Sequence, residues 1–155
     1  MKGFLLDTDV VSLLARPLRG EGGKFADWLE QRDREGRLFL SVVAIHEIRK
    51  GIALLEHKGA TTKASALHAW LAGLRAGYAD RVLELDVSIA EASGNAEARA
   101  LATGHGPGMA DALVAGVADF HDLVVITRNI KHFRALGVAV VTPEEVVQRE
   151  GCPSS

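Results

Sequence analysis

Phe4-Leu5-Leu6-Asp7-Thr8-Asp9-Val10-Val11 passes from apolar to charged and back to apolar within one short stretch. Lys2 to Leu6 shows no polar alternation, which marks a strand buried on both faces, and Asp7 ends it. Asp9 then opens a short helix through Leu14, its carboxylate placed to cap backbone N–H groups. The same grammar repeats outward along the chain. Leu38 to Ser41, Val82 to Leu85, Leu123 to Ile126 and Val138 to Val141 are further apolar runs of strand length. Between them lie helical periodicities over Lys24 to Arg34, Val42 to Glu56, Thr62 to Ala79, Ser88 to Ala102 and Met109 to Phe120. A last helix, Pro143 to Arg149, starts on proline, and Asp86 reads as the cap of the helix that follows it. Arg19 to Gly23, Lys58 to Thr61 and Gly104 to Gly108 are short loops, with no linker or repeat. Strands separated by helices give an α/β fold with a parallel sheet, and in such sheets ligands gather outside the carboxyl ends of the strands. That rule singles out Asp7 and Thr127-Arg128-Asn129.

At 155 residues the chain is long enough for about one domain, read as residues 1–149 with a short tail at 150–155. Hydrophobic residues at 48% and charged residues at 25% set aside disordered and fibrous classes. The net charge of −2 attracts no nucleic acid globally, so such a partner would need a local cationic patch or metal ions. The lone cysteine, Cys152, cannot form an intramolecular disulfide, and no apolar run approaches a signal peptide or a membrane span. A cytoplasmic protein without membrane association is expected.

Three carboxylates stand in apolar frames rather than in charged surface runs. They are Asp7 at a strand end, Glu47 beside Ile48 on a helix, and Asp111 within Gly108-Met109-Ala110-Asp111-Ala112-Leu113 in a first helical turn. Carboxylates in such settings need a hydrogen-bonded partner, an ion pair or a bound cation. Converging carboxylates repel one another, and a hard divalent ion such as Mg²⁺ or Mn²⁺ is the natural neutraliser.

Leu5-Leu6-Asp7-Thr8-Asp9-Val10-Val11-Ser12, the Ser41 to Glu47 segment before Ile48 and Gly51, Ala110-Asp111-Ala112, and Val125-Ile126-Thr127-Arg128-Asn129 before Phe133 together resemble the PIN domain. In particular they resemble the toxins of VapC and FitB type from bacterial toxin–antitoxin pairs, from Lys2 to about Val147. The resemblance implies a three-layer α/β/α fold around a central parallel sheet and a metal-dependent endoribonuclease. It also implies a homodimer held in check by a cognate antitoxin protein that inserts a segment into the active-site groove. Asp7, Glu47 and Asp111 fall on the acidic positions that bind Mg²⁺ or Mn²⁺, and Asn129 on the fourth catalytic position, where many relatives carry aspartate. Relatives with Thr-Arg-Asn often have aspartate three residues on, where this chain has His132. Asn129 brings an amide oxygen but no charge, which disfavours two ions more than one. Asp9 stands where the family commonly has asparagine. In the implied hydrolysis Thr8 and Thr127 support water or carboxylate through their hydroxyls, and Arg49, Lys50, Arg128 and Lys131 contact RNA phosphates.

Plainer readings exist for each residue. Asp7 could be a turn or capping residue, Glu47 could pair with Lys50 or Lys58 on the helix surface, and Asp111 could simply answer the helix dipole. The six histidines show no metal-binding pair on one helix face; His46 and His132 alone neighbour the motifs. Trp28 and Trp70 sit in apolar stripes, as core or interface residues. Two rival functions remain. Asp7-Thr8-Asp9 also resembles the nucleophile motif of haloacid-dehalogenase-type phosphatases, although the later acidic pair would have to be Glu144-Glu145 and Glu47 and Asp111 would have no role. The other is a PIN-like RNA-binding or protein-binding module without catalysis, which the neutral Asn129 would fit.

Overall fold

The computed structural model describes residues 2–15 and 23–151; Cys152, the remainder of the tail and most of the Arg19 to Gly23 loop lie outside the described residues. Five strands, β1 (Phe4–Leu6), β2 (Leu38–Ser41), β3 (Val82–Leu83), β4 (Val124–Ile126) and β5 (Val140–Val141), form one sheet in the order β3-β2-β1-β4-β5. Every pairing is parallel, with Leu5 opposite both Phe39 and Val125. Among the described residues eight α-helices accompany them: α1 (Thr8–Val11), α2 (Gly23–Arg34), α3 (Val42–His57), α4 (Thr61–Tyr78), α5 (Val87–Ala102), α6 (Met109–Phe120), α7 (Ile130–Ala135) and, after the last strand, α8 (Pro143–Gly151).

Strand alternation divides the core into two layers. Leu6 and Ile126 point to one face, where Trp28, Ile48, Ile52, Leu71 and Val146 bring in α2, α3, α4 and α8. Leu5 and Val125 point to the other, against Ile89, Ala96, Val114, Val117 and Phe133 of α5, α6 and α7. Residues one apart on a strand face opposite ways, so apolar runs without alternation require helices on both sides. The α/β/α architecture follows. No helix among the described residues is long and apolar enough to cross a membrane.

Local chemistry starts several of these helices. Ser41 caps α3 by accepting from Ala44 N at 3.3 Å, and Asp86 caps α5 by accepting from Ile89 N at 2.8 Å. At α8, Pro143 occupies the first turn while Thr142 Oγ1 accepts from Glu145 N (3.1 Å) and Glu145 Oε2 accepts from Thr142 N (3.2 Å), a reciprocal capping box. The α5–α6 pair packs on small residues. A Cβ built on Gly116 would stand 2.0 Å from Ser93 Oγ, which is itself committed to Ile89 O at 2.7 Å.

The structure departs from the sequence reading in three places. β3 and β5 are shorter than expected because they are the sheet edges, each with one neighbour to pair. The first helix begins at Thr8, capped by Asp7 rather than Asp9, and tightens into a 3-10 turn over Ser12–Ala15. The six-residue α7 was not expected; it is too short to show a period and is held by the fully buried Phe133. Trp28, by contrast, is a core residue as expected, edge-on to Phe4 and stacked on Phe25.

Candidate active site

In this strand order β3 to β4 is the crossover that passes β1, so the switch point lies between β1 and β4. Leu6 pairs with Ile126, which sets the next residues, Asp7 and Thr127, side by side just past the ladder. Asp7 N donates to Ile126 O at 3.0 Å and finishes that ladder. Both residues are buried, Asp7 at 8% exposure and Thr127 at 0%.

The Asp7 carboxylate is oriented from two directions. Oδ1 accepts from Thr8 N at 2.9 Å, and Oδ2 accepts from Thr127 Oγ1 at 2.9 Å. Thr127 Oγ1 in turn accepts from Asn129 N at 3.0 Å. Burial pushes Asp7 up to about 6, opposed by the Thr127 and Thr8 hydrogen bonds and reinforced by the negative charges of Asp9 and Asp111. No cationic side chain among the described residues offsets Asp7.

Glu47 and Asp111 join Asp7 around one cavity of about 210 Å³, completed by Thr8, Val43, Ala110 and Val114. Glu47 arrives because α3 starts at the end of β2 and carries it inward one and a half turns later; Asp111 arrives in the first turn of α6, after Gly108 at φ +88°. That first-turn position sets Asp111 against the positive end of α6. Glu47 Oε2 pairs with Lys50 Nζ at 2.8 Å, and Asp111 Oδ2 lies 2.7 Å from His132 Nδ1 and 3.0 Å from Asn129 Nδ2. Among the described residues, no group of three or more Asp, Glu, His or Cys side chains is gathered in the arrangement of a metal site. Asp7, Glu47 and Asp111 are the residues that could hold a cation here, and the donor set suits a hard one: three carboxylates, one raised chiefly by burial and further by its acidic neighbours.

Other expected residues fall in and out of this edge. Thr8 lines the cavity, and Thr127 reaches Asp7 directly. Asn129 engages Asp111 with its amide nitrogen rather than offering its oxygen there. Arg128 is exposed and reaches Glu144 at 3.4 Å, and Lys131 is exposed in the first turn of α7. Arg49 does not face the cavity: its guanidinium sits on the ring nitrogens of His68 of α4, at 2.6 and 2.9 Å. Two residues past Glu47, it lies about 200° around the helix. Lys50, three past Glu47, shares its face.

Two site residues were missed. Asp9, taken from sequence as a cap, crosses to the β4 loop, where Oδ2 accepts from Arg128 N at 3.0 Å and Oδ1 lies 3.4 Å from Thr127 Oγ1. His132, noted only as a neighbour of the motif, reaches Asp111. A carboxylate two residues past Asp7 and a histidine three past Asn129 are visible signals, but their partners are distant in sequence. The acidic pair required by the phosphatase reading is otherwise occupied, Glu145 by the α8 capping box and Glu144 by Arg128.

A parallel α/β sheet with three carboxylates lining a cavity at its switch point marks the β1–β4 edge as the candidate active site. The chain belongs to the PIN domain family, whose profile matches residues 4–138. It is 34% identical to Toxin FitB of Neisseria gonorrhoeae, covering 90% of this chain and 97% of that protein. It is 31% identical to VapC ribonuclease Y4jK of Sinorhizobium fredii, covering 92% and 98%. Among solved structures, FitAcB from Neisseria gonorrhoeae superposes with a TM-score of 0.76 at 32% identity, covering 91% of this chain and 98% of the other.

Proposed function

We propose that this chain is the ribonuclease toxin of a toxin–antitoxin pair, hydrolysing RNA phosphodiester bonds with the help of a divalent cation held by Asp7, Glu47 and Asp111. The observation that carries the reading is the single cavity lined by these three carboxylates, in which burial and neighbouring charge hold Asp7 near 6. Membership of the PIN family and the likeness to a VapC ribonuclease and to Toxin FitB support the same activity. When bound, Mg²⁺ or Mn²⁺ would neutralise charge on the scissile phosphate and acidify a water molecule.

The chain's own groups divide the remaining work. Thr8 N–H and the Thr127 hydroxyl fix the rotation of the Asp7 carboxylate. Asp9 ties the β4 loop to the end of β1 through Arg128 N, which keeps Thr127 and Asn129 beside Asp7. Glu47, paired with the Lys50 ammonium at 2.8 Å, would hold the ion together with Asp7 and Asp111. Lys50, Arg128 and Lys131 are exposed cations near this edge that would meet RNA phosphates where the net charge of −2 does not. A cognate antitoxin that covers this acidic edge, and a homodimeric state, complete the proposed assembly.

Purified protein should cleave RNA with Mg²⁺ or Mn²⁺, stop with chelator, and lose cleavage on Asp7→Asn with the fold intact. Expression without an antitoxin should arrest bacterial growth, and the Asp7→Asn variant should be harmless. Cleavage that persists equally in chelator and in Asp7→Asn would overturn the mechanism, and ion binding without cleavage of any RNA would favour a binding module.

A further inference from the structure

Asp111 is the member of the triad whose support differs most from what an all-carboxylate site would give it. Oδ2 lies 2.7 Å from His132 Nδ1 and 3.0 Å from Asn129 Nδ2, and those two nitrogens are themselves 2.8 Å apart. Hydrogen placement follows from chemistry. A carboxylate oxygen only accepts, so a nitrogen at 2.7 Å must carry a proton; this holds whether the ring is neutral or charged. Nδ1 is therefore the protonated position. With its lone pair used, Nδ1 cannot also accept from Asn129, so the Asn129 amide donates to Asp111 as well. The reverse orientation of that amide would set its oxygen against the carboxylate. Two N–H donors converge on one oxygen, and among the described residues no hydrogen bond reaches Oδ1. The His132 side chain is 42% exposed and that of Asp111 19%, so the pair spans the rim and the wall of the site.

We propose that His132 is a positioning residue for Asp111: it ties down Oδ2 and leaves Oδ1 to a single divalent ion. This deepens the function proposed above and rests on it. A second carboxylate at this rim would repel Asp111 without an ion and could serve a second ion once one is bound. Imidazole and amide donors do neither. They hold Asp111 in place before an ion arrives and keep the ion count at one, as partners outside the ligand set do for ligating groups elsewhere.

The metal-free test is the His132 tautomer, read by long-range ¹H–¹⁵N NMR at a pH where the ring is neutral. The inference expects the Nδ1–H form in wild type and reversion to the Nε2–H form common for free imidazole in Asp111→Ala. An Nε2–H ring in wild type would overturn it, whatever the protein does with metal. The second test is Mn²⁺ titration followed by electron paramagnetic resonance. Wild type should bind one equivalent, His132→Ala should bind about tenfold to a hundredfold more weakly, and His132→Asn, whose amide can donate to Asp111, should recover most of the loss. His132→Asp should be less stable than wild type without metal and should take up a second equivalent. Equal affinity in wild type and His132→Ala, or two equivalents in wild type, would overturn the inference while leaving the proposed function standing. A wild-type protein that binds no Mn²⁺ would instead contradict the proposed function itself.

Discussion

The β1–β4 edge and the α5–α6 pair lie on the same small scaffold and are built on opposite terms. In α5–α6, Gly116 sits so close to Ser93 that no added carbon fits, Ala96 and Ala100 are buried beside it, and Ser93 spends its hydroxyl on its own helix. That region satisfies itself. At the β1–β4 edge the side-chain hydrogen bonds are also made, yet Asp7 is raised because burial and two nearby carboxylates act on it together. Hydrogen bonding orients a charge without neutralising it, so Asp7 keeps a charge to which a cation would be the complement. The comparison teaches that satisfied geometry and favourable energy are separable, and that the difference between them marks where a ligand is expected.

The comparison can be broken first at Asp7. Asp7→Asn should lower the RNA cleavage rate about a thousandfold, equivalent to about 4 kcal/mol of transition-state stabilisation, in a single-turnover assay. The amide can still accept from Thr8 N, so the fold should persist.

The same substitution should stabilise the metal-free protein. A carboxyl whose pKa is about 6 when folded and 3.8 when unfolded holds its proton more tightly in the native state. Unfolding free energy therefore falls as pH rises from about 4 to about 6, and the loss is complete above that window, at up to about 3 kcal/mol. Chemical denaturation in chelator should show wild type more stable at pH 5 than at pH 7.5 relative to Asp7→Asn, with the difference curve isolating Asp7.

The packed pair should respond in the opposite sense. Gly116→Ala should destabilise by about 1–2 kcal/mol, overpacking outweighing the roughly 1 kcal/mol that alanine gains over glycine in a helix. Urea unfolding checks this, and adding Ser93→Ala should restore part of the loss because Ser93 Oγ is the nearest clash. The smallest effect belongs to Asp9→Asn. The amide oxygen can keep the bond from Arg128 N while the charge disappears, so the Asp7 carboxyl should titrate at lower pH in ¹³C NMR by less than burial raises it.

Much of this was legible before any coordinates. Apolar runs without alternation dictated a sheet covered on both faces, and the three carboxylates stood out because hydrophobic neighbours frame them. Asp9 was misread because a capping argument is local, whereas its partner, Arg128, lies on a strand end across the switch point. His132 was undervalued because its link to Asp111 depends on how α7, a helix too short to announce itself, meets α6. Arg49 is expected from sequence at the RNA phosphates with Lys50, yet helical phase already separates it from Glu47 while placing Lys50 alongside.

We propose that Asp7, Glu47 and Asp111 hold a cation, with Asp7 the member that no cationic side chain among the described residues pairs with. Isothermal titration of Mn²⁺ at pH 6, in buffers of different ionisation enthalpy, tests it most directly. Because Asp7 is then about half protonated, binding should release about half a proton through Asp7, and that contribution should vanish by pH 8 and in Asp7→Asn, whose affinity should also fall sharply. Mn²⁺ affinity and proton release unchanged by Asp7→Asn would contradict it.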